Sequence, residues 1–99
     1  MLDLKSLDGF DWDEGNQTKN WDRHQVSIVE CEEAFFNTPL LLREDTRHST
    51  HELRHYVLGQ TNAGRLLFIA FTVRGTKIRV ISARQMNRKE RYLYDQTTP

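Results

Sequence analysis

The sequence predicts an α+β fold: two N-terminal helices packed on an antiparallel sheet of about four strands, closed by a short C-terminal helix. Three observations predict it. A helix-capping signature and helical apolar spacing mark the first third of the chain. Apolar runs separated by tight turn signals fill residues 40–85. A charged segment with helical spacing follows them. Strands grouped between helices, and joined by hairpins, form a sheet with helices layered on one face. Ninety-nine residues make one domain with a single modest core. It spans 10–94, between a loose leader at 1–9 and a frayed tail at 95–99.

In chain order, Asp8-Gly9 is a turn signal that ends the leader. "FDWD" at 10–13 is a short first strand, with Phe10 and Trp12 on one side. "DEGNQTKNWDRH" reads as the first helix, with Asp13 as N-cap and Gly15 weakening the first turn. Ser27 opens the second helix, and Glu30 stands three residues on, the spacing of a capping box. Ile28, Cys31 and Phe35 fall on one side of it, facing the core. Pro39 ends that segment. "LLLRE" at 40–44 and "ELRHYVLGQT" at 52–61 are strands around a polar loop. Asn62–Gly64 turns the chain into "RLLFIAFTVR", and Gly75-Thr76 is a two-residue hairpin into "KIRVISAR". "MNRKERYLY" is the closing helix. Trp12, Trp21, Phe35, Phe36 and Phe68 read as core residues.

Composition excludes several classes. The longest apolar run, "LLFIAFTV" at 66–73, is a buried strand, too short to span a bilayer, and no secretory signal opens the chain. The lone Cys31 permits no internal disulfide, which suits a reducing cytosol, and its helical spacing makes it a small buried side chain rather than a nucleophile. Net charge is zero but polarised. Residues 1–45 hold 11 acidic and 4 basic side chains, net −7; residues 46–99 hold 3 acidic and 10 basic, net +7. A basic face attracts phosphate, and an acidic one repels nucleic acid or meets a basic partner.

The positive charge gathers in "KIRVISARQMNRKERYLY", residues 77–94, which holds six Lys or Arg. Strand alternation puts Lys77 and Arg79 on one face and Ile78 and Val80 on the other. Strict alternation sends Arg84 to the buried face; a bulge would bring it round to join Arg79. On the closing helix Met86 and Leu93 form an apolar stripe, and Arg88 and Arg91 lie opposite. Glu90 sits near the stripe, placed to pair with an arginine, and Tyr94 borders Arg91 and Glu90 at the rim, where it could stack on a base. Arginine suits phosphate, because its planar fork donates paired hydrogen bonds and stays charged. A solvated helix with surface ion pairs is the competing reading of the same residues.

The chain resembles the BrnT-type ribonuclease toxins of bacterial type II toxin–antitoxin pairs over Phe10 to Tyr94. The residues that carry the likeness are Phe10, Trp12-Asp13, Asn20, Arg23-His24, Val26-Ser27 and "AFFNTPLLL". Asp45, His48, Glu52, Arg54 and Gly59 follow, and then "GRLLFIAFTVRG" and "IRVISARQMNRKERYLY". Gln25 stands where the family usually has Gly, Val29 where it has an acid, and Arg23 and Asn16 where Lys is common. The resemblance implies a RelE/ParE-like fold and metal-independent RNA cleavage that arrests translation, with no cofactor. It also implies a BrnA-type ribbon-helix-helix antitoxin in a hetero-oligomer that reaches operator DNA only through that antitoxin.

Metal-free RNA cleavage needs a group that takes the 2′-hydroxyl proton, one that protonates the leaving 5′-oxygen, and cations for the added charge. Arg79, Arg84, Lys89 and Arg91 are the first catalytic candidates, with Glu90, Tyr94 and His48 next; Lys77, Arg79, Arg84, Arg88 and Arg91 are the RNA-binding set. His24 is either a proton-transfer group or a cap at a helix C-terminus. His48, His51, His55 and Glu52 suggest a zinc cluster only if helical. In the extended strand read here, side chains four apart stand too far apart for one metal. A non-catalytic module that only docks an antitoxin, and a metal-dependent hydrolase, are the competing functions.

Overall fold

A computed structural model of the chain describes residues 2–49 and 51–97. The elements, in order, are β1 (Gly9–Phe10), α1 (Lys19–His24), α2 (Ile28–Phe36), β2 (Leu41–Glu44), β3 (Arg54–Gln60), β4 (Leu66–Arg74), β5 (Lys77–Gln85) and α3 (Arg88–Asp95), with single 3₁₀ turns at Leu4–Ser6 and Thr46–His48. The fold is α+β, but the sheet has five strands in the order β1-β5-β4-β3-β2 and is mixed. β2 to β5 pair antiparallel, and β1 adds a short parallel edge beside Lys77 and Ile78. The expected strand at 10–13 shrinks to this two-residue ladder. The hairpin at Gly75-Thr76 forms as read, with Arg74 opposite Lys77.

Strand alternation divides the sheet into two faces, each with its own core. Val57, Leu67, Ile69, Phe71, Ile78, Val80 and Ala83 meet Cys31 and Ala34 of α2. Leu41, Tyr56, Leu58, Leu66 and Phe68 meet Met86, Leu93 and Tyr94 on the opposite side. α3 therefore packs on the face away from α2, where the sequence had placed all helices on one face. α2 approaches β3 closely because Gly59 has no side chain: a Cβ there would lie 2.8 Å from the Ala34 carbonyl oxygen. The capping box at Ser27 and Glu30 is present, and Asn87 and Glu90 form a second one that starts α3.

Three further corrections have local causes. The first helix begins at Lys19 rather than Asp13. Asp13 instead folds a turn on itself, accepting from the Gly15 amide at 2.8 Å and from Gln17 N–H through its carbonyl at 2.8 Å. The leader is not loose over its described residues, since Leu2, Leu4 and Leu7 pack as a strap against the α2-side core. Trp21 and Phe36 are exposed rather than buried, because α1 lies along the edge of β5 and Phe36 ends α2 facing outward. Of the predicted tail, residues 98 and 99 lie outside the described residues.

α1 and the turn before it close the open edge of β5. Ala70 pairs with Ser82 and Phe71 with Val80, so Ile81 is an extra residue, a bulge. Its neighbours' backbone groups find side-chain partners. Asn16 Nδ2 donates to the Val80 and Asp11 carbonyls at 3.1 and 3.0 Å, Lys19 Nζ reaches the Ile81 carbonyl at 3.4 Å, and the Ala83 amide donates to Asn20 Oδ1 at 2.8 Å. Asn16 also accepts from the Asp13 amide at 2.8 Å, a bond that a lysine, which only donates, would lack.

Candidate functional site

The bulge at Ile81 decides where the late arginines point. Val80 and Ala83 both stay on the α2 face, so Arg79, Ser82 and Arg84 all fall on the other. Arg79 is in register with Thr72, and Thr72 with Arg54, which puts three side chains in a row across that face. Two strand spacings, about 10 Å, separate the two arginines of this row.

Each late arginine of β5 is gripped by a carboxylate. Arg79 forks onto Asp13 at 2.9 and 3.0 Å, with Asp11 at 3.6 Å. Its hydrogen bonds to Asp13 raise the arginine and hold the Asp13 carboxyl below the usual range. Arg84 forks onto Glu90 at 2.8 and 3.0 Å and donates to the Gln85 carbonyl at 3.1 Å. Its guanidinium lies 4.2 Å over the Phe68 ring, which in turn stacks on Tyr56. Burial pushes Glu90 up, but the Arg84 fork and the Asn87 amide outweigh it and leave the carboxyl below its ordinary value. Three of the five N–H donors of Arg84 are used in these bonds, which leaves two without a partner among the described residues.

Arg84 also lines a polar cleft of about 460 Å³ together with Arg23, His24, Gln25, Arg65 and Gln85. The C-terminus of α1 forms one wall. Gln25 ends that helix in the left-handed conformation, at φ +52°, with its side-chain amide donating to the Trp21 carbonyl at 3.0 Å. A glycine would take this backbone shape without a steric cost. Arg65 fixes the wall from below. It donates to the Gln25 carbonyl at 2.7 Å, to the His24 carbonyl at 3.1 Å, and to Glu30 at 3.1 Å. One guanidinium thus ties the end of α1 to the start of α2 and to β4.

The other sequence-predicted residues scatter. Lys77 stands at the hairpin, paired with Asp8 at 2.9 Å. Arg88, Lys89 and Arg91 are exposed on α3, and none of them has an ion-pair partner among the described residues. Tyr94 is not at a rim: it is 4% exposed and donates its hydroxyl to the Pro39 carbonyl at 2.7 Å, docking α3. Burial raises its hydroxyl further from a useful proton exchange. His48 lies in the turn after β2, separated from β5 by two strands, with Nδ1 3.0 Å from Asp45. His55 is buried against Phe71 in a strand, and burial lowers its proton affinity. Cys31 is fully buried, its thiol pushed up to about 12 by burial and by Glu30 and Glu32. Among the described residues no three His, Cys, Asp or Glu side chains stand close enough to hold one metal.

Sequence reasoning missed Arg65 and the place of Arg23. Arg65 follows a turn glycine and carries no local pattern. Arg23-His24 was visible as a pair, but nothing in spacing linked it to Arg84, about sixty positions on. The structure brings Arg23, His24, Arg65 and Arg84 to one cleft, with Glu90 beside it.

Comparison with known proteins bears on the family and the fold. Residues 12–90 match the family model described as the ribonuclease toxin BrnT of type II toxin–antitoxin systems. The chain is also similar in fold to the 1.1 Å crystal structure of the Brucella abortus ribonuclease toxin BrnT. That likeness has a TM-score of 0.56 and 19% sequence identity, and covers 81% of this chain and 97% of that one. No curated protein matches the chain.

Proposed function

Because the chain belongs to the BrnT family of ribonuclease toxins of type II toxin–antitoxin systems, we propose that it is an endoribonuclease that cuts RNA without a metal, at the cleft between α1 and the end of β5. It acts in the cytoplasm, inhibits translation, and is silenced by a BrnA-type ribbon-helix-helix antitoxin with which it reaches operator DNA. No described helix is long and apolar enough to cross a membrane. The observation that carries the site is the convergence of Arg23, His24, Arg65 and Arg84 on one cleft. Three of these are permanently charged, and the fourth belongs to the residue type that most readily exchanges protons near neutrality.

The chemistry is attack by the 2′-hydroxyl on the adjacent phosphorus. The oxygen–phosphorus bond to the 5′-oxygen breaks, and a 2′,3′-cyclic phosphate and a free 5′-hydroxyl result. Arg84 and Arg23 donate to the non-bridging oxygens and stabilise the charge that builds on them. His24, the proton-transfer candidate in reach of the cleft, takes the 2′-hydroxyl proton, and the leaving 5′-oxygen takes its proton from solvent water. Arg65 is a positioning residue, because its bonds to the His24 and Gln25 carbonyls set the wall they stand on. Arg79, Arg54 and the free cations Arg88, Lys89 and Arg91 hold flanking phosphates. Glu90 orients the Arg84 fork, and its lowered carboxyl makes it a poor base. Tyr94 and His48 have no part in this assignment.

The test is a gel assay of purified protein with RNA, with and without chelator. Cleavage that survives chelator and disappears in His24→Ala and Arg84→Ala supports the reading. Loss of wild-type cleavage with chelator points to a metal hydrolase. Absence of cleavage beside tight antitoxin binding leaves a non-catalytic docking module.

A further inference from the structure

The acidic half of the chain carries a surface that the cleft does not use. α2 presents Val29, Glu32, Glu33 and Phe36 at positions i, i+3, i+4 and i+7, which share one stripe of a helix. Val29 is 61% exposed and Phe36 78%. Beside Phe36 a groove of about 400 Å³ opens between α2 and the N-terminal strap, lined by Leu4, Leu7, Phe10, Phe35, Phe36 and Ile78, with Asp8 and Glu32 also at its wall. At the other end Trp21, 54% exposed, borders a second hollow with Ile28 and Val29. Single exposed apolar side chains are ordinary. Here three of the five large exposed hydrophobics among the described residues share one side of the molecule with a groove.

The charge of this side selects its occupant. Neither Glu32 nor Glu33 pairs with a cation among the described residues; they accept only from Trp12 Nε1 at 2.9 Å and the Asn62 amide at 3.0 Å. These two carboxylates, beside the exposed apolar side chains, make the surface repel a polyanion and suit a cationic, partly apolar segment. We propose that the outer stripe of α2 and the adjoining groove are the docking surface of the antitoxin. The seated segment is basic and amphipathic, with a bulky apolar side chain in the groove beside Phe36. This inference rests on the toxin–antitoxin reading above. It also explains silencing by position: Val29 and Phe36 span about 10 Å of helix, and Trp21 lies one helical turn before His24. A segment running from the groove past Val29 to Trp21 therefore ends beside the cleft.

The experiment takes the full chain and the antitoxin encoded beside it, and measures binding by titration calorimetry for the wild type, Phe36→Asp and Val29→Lys. Both side chains are exposed, and thermal melts confirm that the variants are folded. Each substitution at an anchor is expected to weaken binding by about 100-fold, while the free variants cleave RNA at the wild-type rate. Binding of the wild type should also weaken as salt rises. Wild-type affinity in both variants, or affinity indifferent to salt, overturns the proposal. Failure of the wild type to bind the antitoxin overturns it too, and RNA cleavage in that case leaves the ribonuclease reading standing. Variants that lose binding, in a protein that never cleaves RNA, uphold the docking surface and remove the ribonuclease reading instead.

Discussion

Arg79 and Arg84 stand on the same face of one strand, and each forks onto a carboxylate, yet the two pairs are built for different uses. The Asp13 that holds Arg79 sits on an exposed turn with little else attached to its side chain. The Glu90 that holds Arg84 is half-buried, fixed in α3 by its own capping box, and the arginine it holds is also stacked on Phe68. In the first pair the carboxylate is the open partner, 55% exposed against 14% for the Arg79 side chain, and a pair open on one side contributes little to stability. The second locks the direction of a guanidinium at the edge of a cleft. A carboxylate occupying an arginine fork thus has two meanings: a removable cover on Arg79, and a permanent brace on Arg84.

The widest separation between the two is expected in catalysis. Arg84→Ala should lower single-turnover RNA cleavage by about 100-fold or more, the usual cost of removing a donor to a charged transition state. Arg79→Ala should mainly raise the RNA concentration needed for half-maximal rate, since the proposed site gives it a flanking phosphate. Equal losses in both variants would erase the distinction. Arg84→Lys separates charge from geometry: a lysine keeps the charge but loses the fork, so most of the activity should still go.

The next effect concerns stability. Glu90→Ala removes the side-chain half of the capping box, which accepts from the Asn87 amide, and the ion pair, and should destabilise the protein by about 1–2 kcal/mol, read by chemical denaturation. Glu90→Gln can still cap α3 and should cost visibly less. The pH dependence has a definite sign. The folded-state carboxyl of Glu90 lies below its ordinary 4.5, so the unfolded chain binds more protons as the solution is acidified. Its contribution is complete above about 4.5 and fades as pH falls through the lower folded value. Glu90→Gln should flatten that part of the acid-unfolding curve; an unchanged curve would mean that the brace does not hold in solution.

The legible part of this molecule was whatever local chemistry dictates. Ser27 and Glu30 announce a helix start, Gly75-Thr76 a hairpin, and alternation in β3 to β5 two faced strands. The strand reading of residues 52–61 also holds for Arg54–Gln60, which carries His55. The helix at Asp13 failed because that aspartate bonds its own turn, a contest between cap and turn that propensity cannot decide. The parallel β1 edge and the opposite packing of α3 are long-range choices without a local signature. The same holds for the site. Alternation alone misplaced Arg84, and the bulge that corrects it is held by Asn16 and Asn20, more than sixty residues away. Tyr94 looked like a rim residue because a helical pattern does not reveal that the Pro39 carbonyl lies within reach.

The smallest effect is the most discriminating test of the contrast. Asp13→Asn keeps the oxygen that accepts from the Gly15 amide, so the turn should survive, but it removes the charge that competes with RNA for Arg79. Exposed ion pairs are worth at most about 1 kcal/mol, so RNA affinity should rise about two- to fivefold. The salt dependence of binding should steepen by about one ion, the signature of one more cation available to phosphate. The corresponding change at the other pair, Glu90→Gln, should not raise affinity, because the Arg84 fork it releases also loses its direction. A gain at both pairs would make Glu90 a cover like Asp13. No gain at Asp13 would place Arg79 outside the path of the RNA and leave the cleft beside Arg84 to bind it alone.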